Sequence, residues 1–460
     1  MTDRREPADA ANARRRLGRR VTALALPALV VLAAEPLYLL VDTAVVGHLG
    51  PVPLAGLAAG GVLMASAAWL GNVLAYGTTG RAARRYGAGQ RAQAVREGVQ
   101  ASWLGLGAGL AIVVLAQLLA HPLMSVLVGG PDAAAVRAAG ELWFRIASLG
   151  VPGILLALAG NGWMRGVQDT RRPVRYVLGG NALSMVLCPV LVYPAGLGLA
   201  GSALANVAAQ LVAAVLFVRA LRAEGVSLRP QPALIRAQLA VGRDLMLRTA
   251  AIQASFLSAA AVASRLGAAP LAAHQIALQL FMFLALVLDS VAIAAQSLVG
   301  ESLGGGRREE ARAVAWRVAG YGGAAGAVFA TALLAAHDAL PRLFTSDPVV
   351  LAMTGQIWPW LAATQVAAGV VFALDGVLIG AGDVGFLRDV TLASTLGGFL
   401  PLVWLAHLAG WGLPGVWAGL LAFVLIRLVG MVLRVAGARW TERGEADMRQ
   451  VAQARAGDAR

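Results

Sequence analysis

Apolar stretches long enough to cross a bilayer recur from residue 21 to about residue 433 of this 460-residue chain. A transmembrane helix needs ~20 such residues. Length alone predicts two or three soluble domains, but composition overrides that expectation. Hydrophobic residues make up 58% of the chain and charged residues 13%, with a mean hydropathy of +0.71. No polar segment is long enough to fold as a separate soluble domain. The pattern predicts an all-α integral membrane protein.

Twelve helices fit, near 21–46, 53–79, 98–120, 141–164, 174–193, 198–218, 245–263, 271–300, 313–336, 349–380, 390–408 and 414–433. The expected organisation is a polar tail at 1–20, a six-helix bundle at 21–220, a linker at 221–244, a second bundle at 245–435 and a tail at 436–460. The net charge is +14, and all 38 basic residues are Arg. Of these, 33 fall in segments that alternate along the chain: up to Arg20, Arg81–Arg96, Arg165–Arg175, Arg219–Arg248, Arg307–Arg317, Arg388, and from Arg434 onward. Arg-rich loops stay cytoplasmic, so both termini are expected inside. The alternation argues against a nucleic-acid surface. Arg427, inside the last span, reads as a residue that snorkels to its Arg-rich end. The basic start followed by an apolar run resembles a signal peptide, but the run carries acids and exceeds the usual length. It reads as a retained first span. The single Cys, Cys188, excludes an internal disulfide.

The chain also repeats itself. VGHLGPVPLAG (46–56) resembles ASRLGAAPLAA (263–273), and YGAGQRAQA (86–94) resembles LGGGRREEA (303–311), both at an offset of 217. NGWMRGVQDT (161–170) resembles DGVLIGAGDV (375–384), and GLGLAG (196–201) resembles GWGLPG (410–415), at an offset of 214. Six spans separate the copies. An even number preserves orientation, so the repeats are parallel, a construction that places a substrate cavity between the halves of many transporters.

A charge deep in a bilayer costs at least ~2.5–3.5 kcal/mol. Glu35 and Asp42, the only charges between Arg20 and Arg81, therefore need a reason. Seven residues make nearly two helical turns, so the two acids share a face, ~10.5 Å apart along the axis. Burial and a second nearby carboxylate both favour the protonated form, which suits a site that takes up and releases a proton. The alternative is that either acid is fixed hydrogen-bonding glue between helices. Pro27 and Pro36 lie in the same span and each favours a kink. That kink either couples protonation to bending or is a static bend.

The first half adds Asn161, Asn181, Ser184 and Cys188, the last two sharing a face. The second half adds Gln253, Gln279, Asp289 and Asp375, which with Asn181 make a candidate substrate or second ion site. By the repeat, Asp375 falls on Asn161, Asp289 on Asn72, Asp42 on Ala259 and Glu35 on Ile252. The halves share a scaffold but not a set of charges. There is no phosphate loop, no HExxH and no Cys/His cluster. A resident metal, a cofactor and an enzymatic activity are therefore not expected, and energy would come from an ion gradient.

EPLYLLVDTAVVGHLG, LAAHQIALQLFMFLALVLDSVAIAAQSLVGESLGGG and LDGVLIGAGD resemble the multidrug and toxic compound extrusion (MATE) family, in its DinF-like branch, over about residues 20–435. The resemblance implies twelve helices in two pseudo-symmetric six-helix bundles forming a V, and export of cationic or amphipathic compounds by proton or sodium antiport. It implies a monomer in a bacterial inner membrane. Asp42 matches the family's cation-coupling aspartate in the first helix, Pro27 the proline at which that helix bends, and Asn161 a polar partner in the fourth helix. Where relatives often carry Asn-x-x-x-Asp in the fifth helix, this chain has Ser184 and Cys188. Glu35 is expected to take over the role of that missing acid. Two carboxyl groups without other oxygen ligands favour a proton, since sodium, by analogy with hard cations, takes five or six oxygens.

Export of organic cations or amphiphiles is thus the leading expectation. A flippase for lipid-linked precursors would favour basic residues in the membrane, and a non-transporting scaffold would need no buried acids.

Overall fold

In the computed structural model, backbone is described for residues 5–130 and 132–442, and side-chain surroundings for 15–66, 71–130 and 132–442. Most of the tail expected at 436–460 lies outside the described residues. The chain is helical, with no strand among the described residues. The helices are α1 (Arg5–Gly47), α2 (Pro51–Gly87), α3 (Arg91–Leu127), α4 (Ala133–Ser148), α5 (Val151–Gly166), α6 (Arg171–Val192), α7 (Gly198–Ala223) and α8 (Pro232–Arg265). They continue with α9 (Ala268–Gly304), α10 (Arg308–Ala335), the short α11 (Ala339–Arg342), α12 (Pro348–Ala381), α13 (Val384–Ser394), α14 (Leu400–Leu408) and α15 (Gly412–Ala436). Among the described residues, eleven spans are long and apolar enough to cross a membrane, and the bent pair α4–α5, taken as one span, makes a twelfth.

Two spans depart from the expected straight helices. The fourth, expected as one helix over 141–164, breaks between α4 and α5 with a bend of 47°. Pro152 lies at the start of α5. It lacks an N–H, and its ring opposes the carbonyl of Ser148, four residues earlier. The eleventh carries a π-helical turn, Thr395–Phe399, between α13 and α14. Pro401 removes a hydrogen bond at that point, and a wider turn absorbs the loss. The helix α1 starts at Arg5, inside the expected tail, and α8 starts at Pro232, inside the expected linker.

The chain divides into two compact units. One contains Val30–Gly242; the other contains Met1–Leu29 and Arg243–Arg460. The dividing point in α1 falls two residues beyond Pro27. The start of α8 is tied into the first unit at a buried carboxylate. Glu97 accepts from Arg81 Nε at 2.9 Å and from Gln238 Nε2 at 3.0 Å.

The internal repeat reappears in the backbone. Gly50 and Gly267, 217 apart, have φ of 117° and 122°; Gly89 and Gly306, also 217 apart, have 74° and 72°. At an offset of 214, Gln168 and Gly382 have φ of 61° and 81°, Gly196 and Gly410 have 67° and 70°, and Gly198 and Gly412 have 52° and 65°. Each copy therefore turns its chain at the same places through left-handed residues, a conformation that favours glycine.

The repeat also explains how α5 crosses α2 and how α12 crosses α9. A Cβ on Gly162 or Gly166 of α5 would meet Ala75 O at 2.8 Å or Thr79 O at 2.9 Å of α2. The matching positions in the other unit, Gly376 and Gly380 of α12, would meet Ala292 O at 2.1 Å and Gln296 O at 2.5 Å of α9. Glycines four residues apart let two membrane helices approach backbone to backbone. Each such glycine pair follows directly on a candidate polar residue, Asn161 in one unit and Asp375 in the other. Tight packing of α5 and α12 thus fixes both positions.

Candidate functional site

Asp42 lies on α1 facing α6 and α7 and is 3% exposed. Its Oδ1 accepts from the hydroxyl of Ser202 on α7 at 2.7 Å and from the thiol of Cys188 on α6 at 3.1 Å. Its Oδ2 is buried and has no hydrogen-bond partner. Trp143 of α4 donates its indole N–H to Ser202 Oγ at 3.1 Å. An indole nitrogen only donates, so Ser202 accepts there and turns its own proton to Asp42. The donor set on Oδ1 is thereby fixed from behind, and Oδ2 is left without a donor.

The register extends along the helix pair. Tyr38 lies four residues before Asp42, and Asn206 four after Ser202. Asn206 Nδ2 donates to the Tyr38 hydroxyl. At the other end, the hydroxyl of Tyr193 donates to Val45 O at 2.7 Å. This half of α1 is therefore held by polar contacts at positions 38, 42 and 45. Val46 and Leu49 add apolar packing.

The sequence-predicted residues fall in different places. Cys188 binds Asp42. Ser184, one turn earlier on α6, is buried with its Oγ unpartnered, and Asn161 on α5 is buried with Oδ1 unpartnered. Glu35 is exposed on the side of α1, and no hydrogen bond joins it to Asp42. Asn181 is half-buried. Pro27 lines a groove along the first half of α1, and Pro36 is exposed. In the second unit, Gln253 and Gln279 are exposed and Asp289 is half-buried.

Asp375 forms a second centre. It is buried and accepts from Arg427 Nη2 at 2.7 and 2.9 Å and from Arg248 Nη2 at 2.6 Å. Arg427 lies 5.5 Å from the Phe423 ring centroid and is itself buried. The snorkelling expected of Arg427 is therefore incorrect. The helix α15 packs on α12, the most buried span, and its guanidinium turns inward to a carboxylate.

Sequence reasoning missed Ser202, Asn206, Tyr38 and Trp143. The first two are four residues apart in GSALANVAAQ, the spacing that singled out Ser184 and Cys188, and Tyr38 stands in the same relation to Asp42. That spacing was the available signal.

A family model described as MatE matches residues 27–190 and 245–404, one match in each copy of the repeat. The chain belongs to the MatE family. DNA damage-inducible protein F of Escherichia coli (strain K12) is 33% identical over 371 residues, covering 78% of this chain and 79% of that protein. Protein DETOXIFICATION 44, chloroplastic, of Arabidopsis thaliana is 33% identical over 385 residues, 81% of this chain and 73% of the relative. The probable multidrug resistance protein NorM of Xanthomonas axonopodis pv. citri (strain 306) is 28% identical, over 78% and 81% of the two chains. A solved MATE protein in a bent conformation shares the fold at a TM-score of 0.83, with 21% identity and coverage of 95% and 97%. MatE proteins are transporters, and this one is a multi-pass membrane protein of that family, not an enzyme.

Proposed function

We propose that this MatE protein is a secondary antiporter that exports cationic or amphipathic organic compounds in exchange for protons. In this reading it acts as a monomer in a bacterial inner membrane, with both termini cytoplasmic. The observation that carries the proposal is the Asp42 carboxylate, buried, with two donors on Oδ1 and none on Oδ2. The multidrug naming of its NorM relative supports the substrate class.

Ionised Asp42 holds Ser202 and Cys188 through charge-assisted hydrogen bonds. Such bonds contribute ~1.5–3 kcal/mol each, against ~0.5–1.5 for neutral ones. A proton on Oδ2 therefore weakens the attachment of this half of α1 to α6 and α7 by about 2 kcal/mol over the two bonds. A difference of that size moves a two-state equilibrium roughly thirtyfold. Pro27 and Pro36 give α1 two places at which to bend when released. An organic cation is favoured near the ionised carboxylate and disfavoured once it is neutral, which makes the exchange obligatory.

The donor set also bears on the ion. Around Asp42 stand a thiol and a hydroxyl whose proton already points at the carboxylate, a poor shell for sodium and an adequate one for a proton. Glu35 serves in this scheme as a second titratable acid on α1, replacing the fifth-helix carboxylate that Ser184 and Cys188 lack.

Basic residues packed among the helices, Arg248 and Arg427, would favour a flippase for lipid-linked precursors. Both are bound to Asp375, so that reading ranks second. Proteoliposomes loaded with a fluorescent organic cation separate the two, with a pH gradient or a sodium gradient imposed. Efflux driven by the pH gradient alone is the expected result. Efflux driven only by sodium would overturn proton coupling, and gradient-independent behaviour would overturn antiport.

A further inference from the structure

A groove of about 960 Å³ runs along the first half of α1, against Tyr321 of α10. Its lining changes character along the helix. Arg15 and Arg19 stand at one end, and Ala23, Leu26 and Pro27 at the other. Eleven residues of helix separate Arg15 from Leu26, about 16 Å. The residues at 15, 19, 22 and 26 follow one stripe of α1, whereas Leu17, Val21, Leu24 and Ala28 form its buried stripe.

The two lining arginines have no ion-pair partner among the described residues. Arg20, next to Arg19, binds Glu301 instead. Arg317, one turn before Tyr321 on α10, adds a third positive charge on the Arg-rich end of that helix. Trp316 beside it is 44% exposed, as expected of an aromatic at a membrane interface. The hydroxyl of Thr22 is bonded to Gly18 O at 3.0 Å, and the Tyr321 hydroxyl stands beside Gly18, 3.3 Å from where a Cβ there would lie.

We propose that this groove binds an anionic phospholipid, its phosphate on Arg15 and Arg19 and an acyl chain over Ala23, Leu26 and Pro27. Guanidinium groups match phosphate oxygens in two-pronged fashion, and basic pockets between membrane helices hold anionic headgroups. The apolar half gives the site a preference for a lipid over free phosphate. The groove ends at Pro27, the expected bend of α1, so a bound acyl chain lies against that bend and restrains it.

The test titrates the full-length protein, in a neutral detergent, with phosphatidylglycerol, phosphatidylcholine or inorganic phosphate, and follows thermal stability. Phosphatidylglycerol is expected to stabilise saturably, the other two not. With ~1 kcal/mol per arginine near an anionic headgroup, or about fivefold, R15Q/R19Q should weaken the apparent affinity roughly 25-fold. R16Q removes the same charge as R19Q from an exposed position outside the groove, and should behave as wild type. All these side chains are exposed, so the variants retain the fold. The proposal is overturned if phosphatidylcholine or phosphate stabilises equally, or if R16Q loses as much affinity as R19Q.

Discussion

Replacing Asp375 by Asn isolates the second buried centre. The change keeps the side chain's shape and removes the charge that faces two guanidinium groups. The side chains of Asp375 and Arg427 are 7% and 6% exposed, and that of Arg248 is 13%. Water therefore compensates neither arginine fully. Removing one partner of a buried ion pair costs ~3–5 kcal/mol, because the other charge stays buried. Domains of a couple of hundred residues lose ~2–4 °C of melting temperature per kcal/mol. Asp375→Asn should thus lower the melting temperature in detergent by at least about 6 °C. Adding Arg427→Gln removes the stranded charge and should recover part of the loss. Folded Asp375→Asn protein should still respond to a pH gradient, since Asp42 is untouched. A melting temperature within about 2 °C of wild type would refute the reasoning and return Asp375 to the list of candidate substrate ligands.

Three further outcomes are expected. Ser202→Ala removes a donor from Asp42 and leaves the buried Trp143 N–H without an acceptor, at a cost of ~1–3 kcal/mol; Ser202→Thr keeps both bonds, so thermal unfolding should separate the two variants. Gly376→Ala brings a Cβ to 2.1 Å from Ala292 O and should destabilise by at least ~1–3 kcal/mol, whereas Gly107→Ala enters open space on α3 and should be neutral or stabilising by up to ~1 kcal/mol. Glu35→Gln should reduce pH-driven efflux without abolishing it, and normal efflux by that variant would remove Glu35 from the scheme.

Much of the fold was legible because a bilayer imposes coarse rules. Span length, Arg placement and the constant offset of the repeat each survive uncertainty in individual residues. The repeat proved the most informative, since five pairs of left-handed residues and two pairs of close-packed glycines follow it. Local backbone events were less legible. Pro152 breaks the fourth span, but Pro122, Pro189 and Pro359 lie inside helices that continue. Whether a proline breaks a helix depends on what its neighbours supply.

The candidate site was half legible. Asp42 stood out as an acid in an apolar run, and Cys188 through its spacing from Ser184. Ser202 and Trp143 did not, because a serine among alanines and a tryptophan in an amphipathic segment are ordinary in sequence. Their roles arise only when α4, α7 and α1 meet. Arg427 was misread for the same reason. Its partner, Asp375, is 52 residues away, and no local pattern joins them.

The most direct measurement follows proton release on substrate binding. Wild type and Asp42→Asn proteins are purified, placed in weakly buffered solution and mixed with an organic cation such as ethidium. Wild type is expected to give a pH drop and Asp42→Asn none, although the variant stays folded. Equal proton release from both proteins would place the coupling on another residue and contradict the claim made for Asp42.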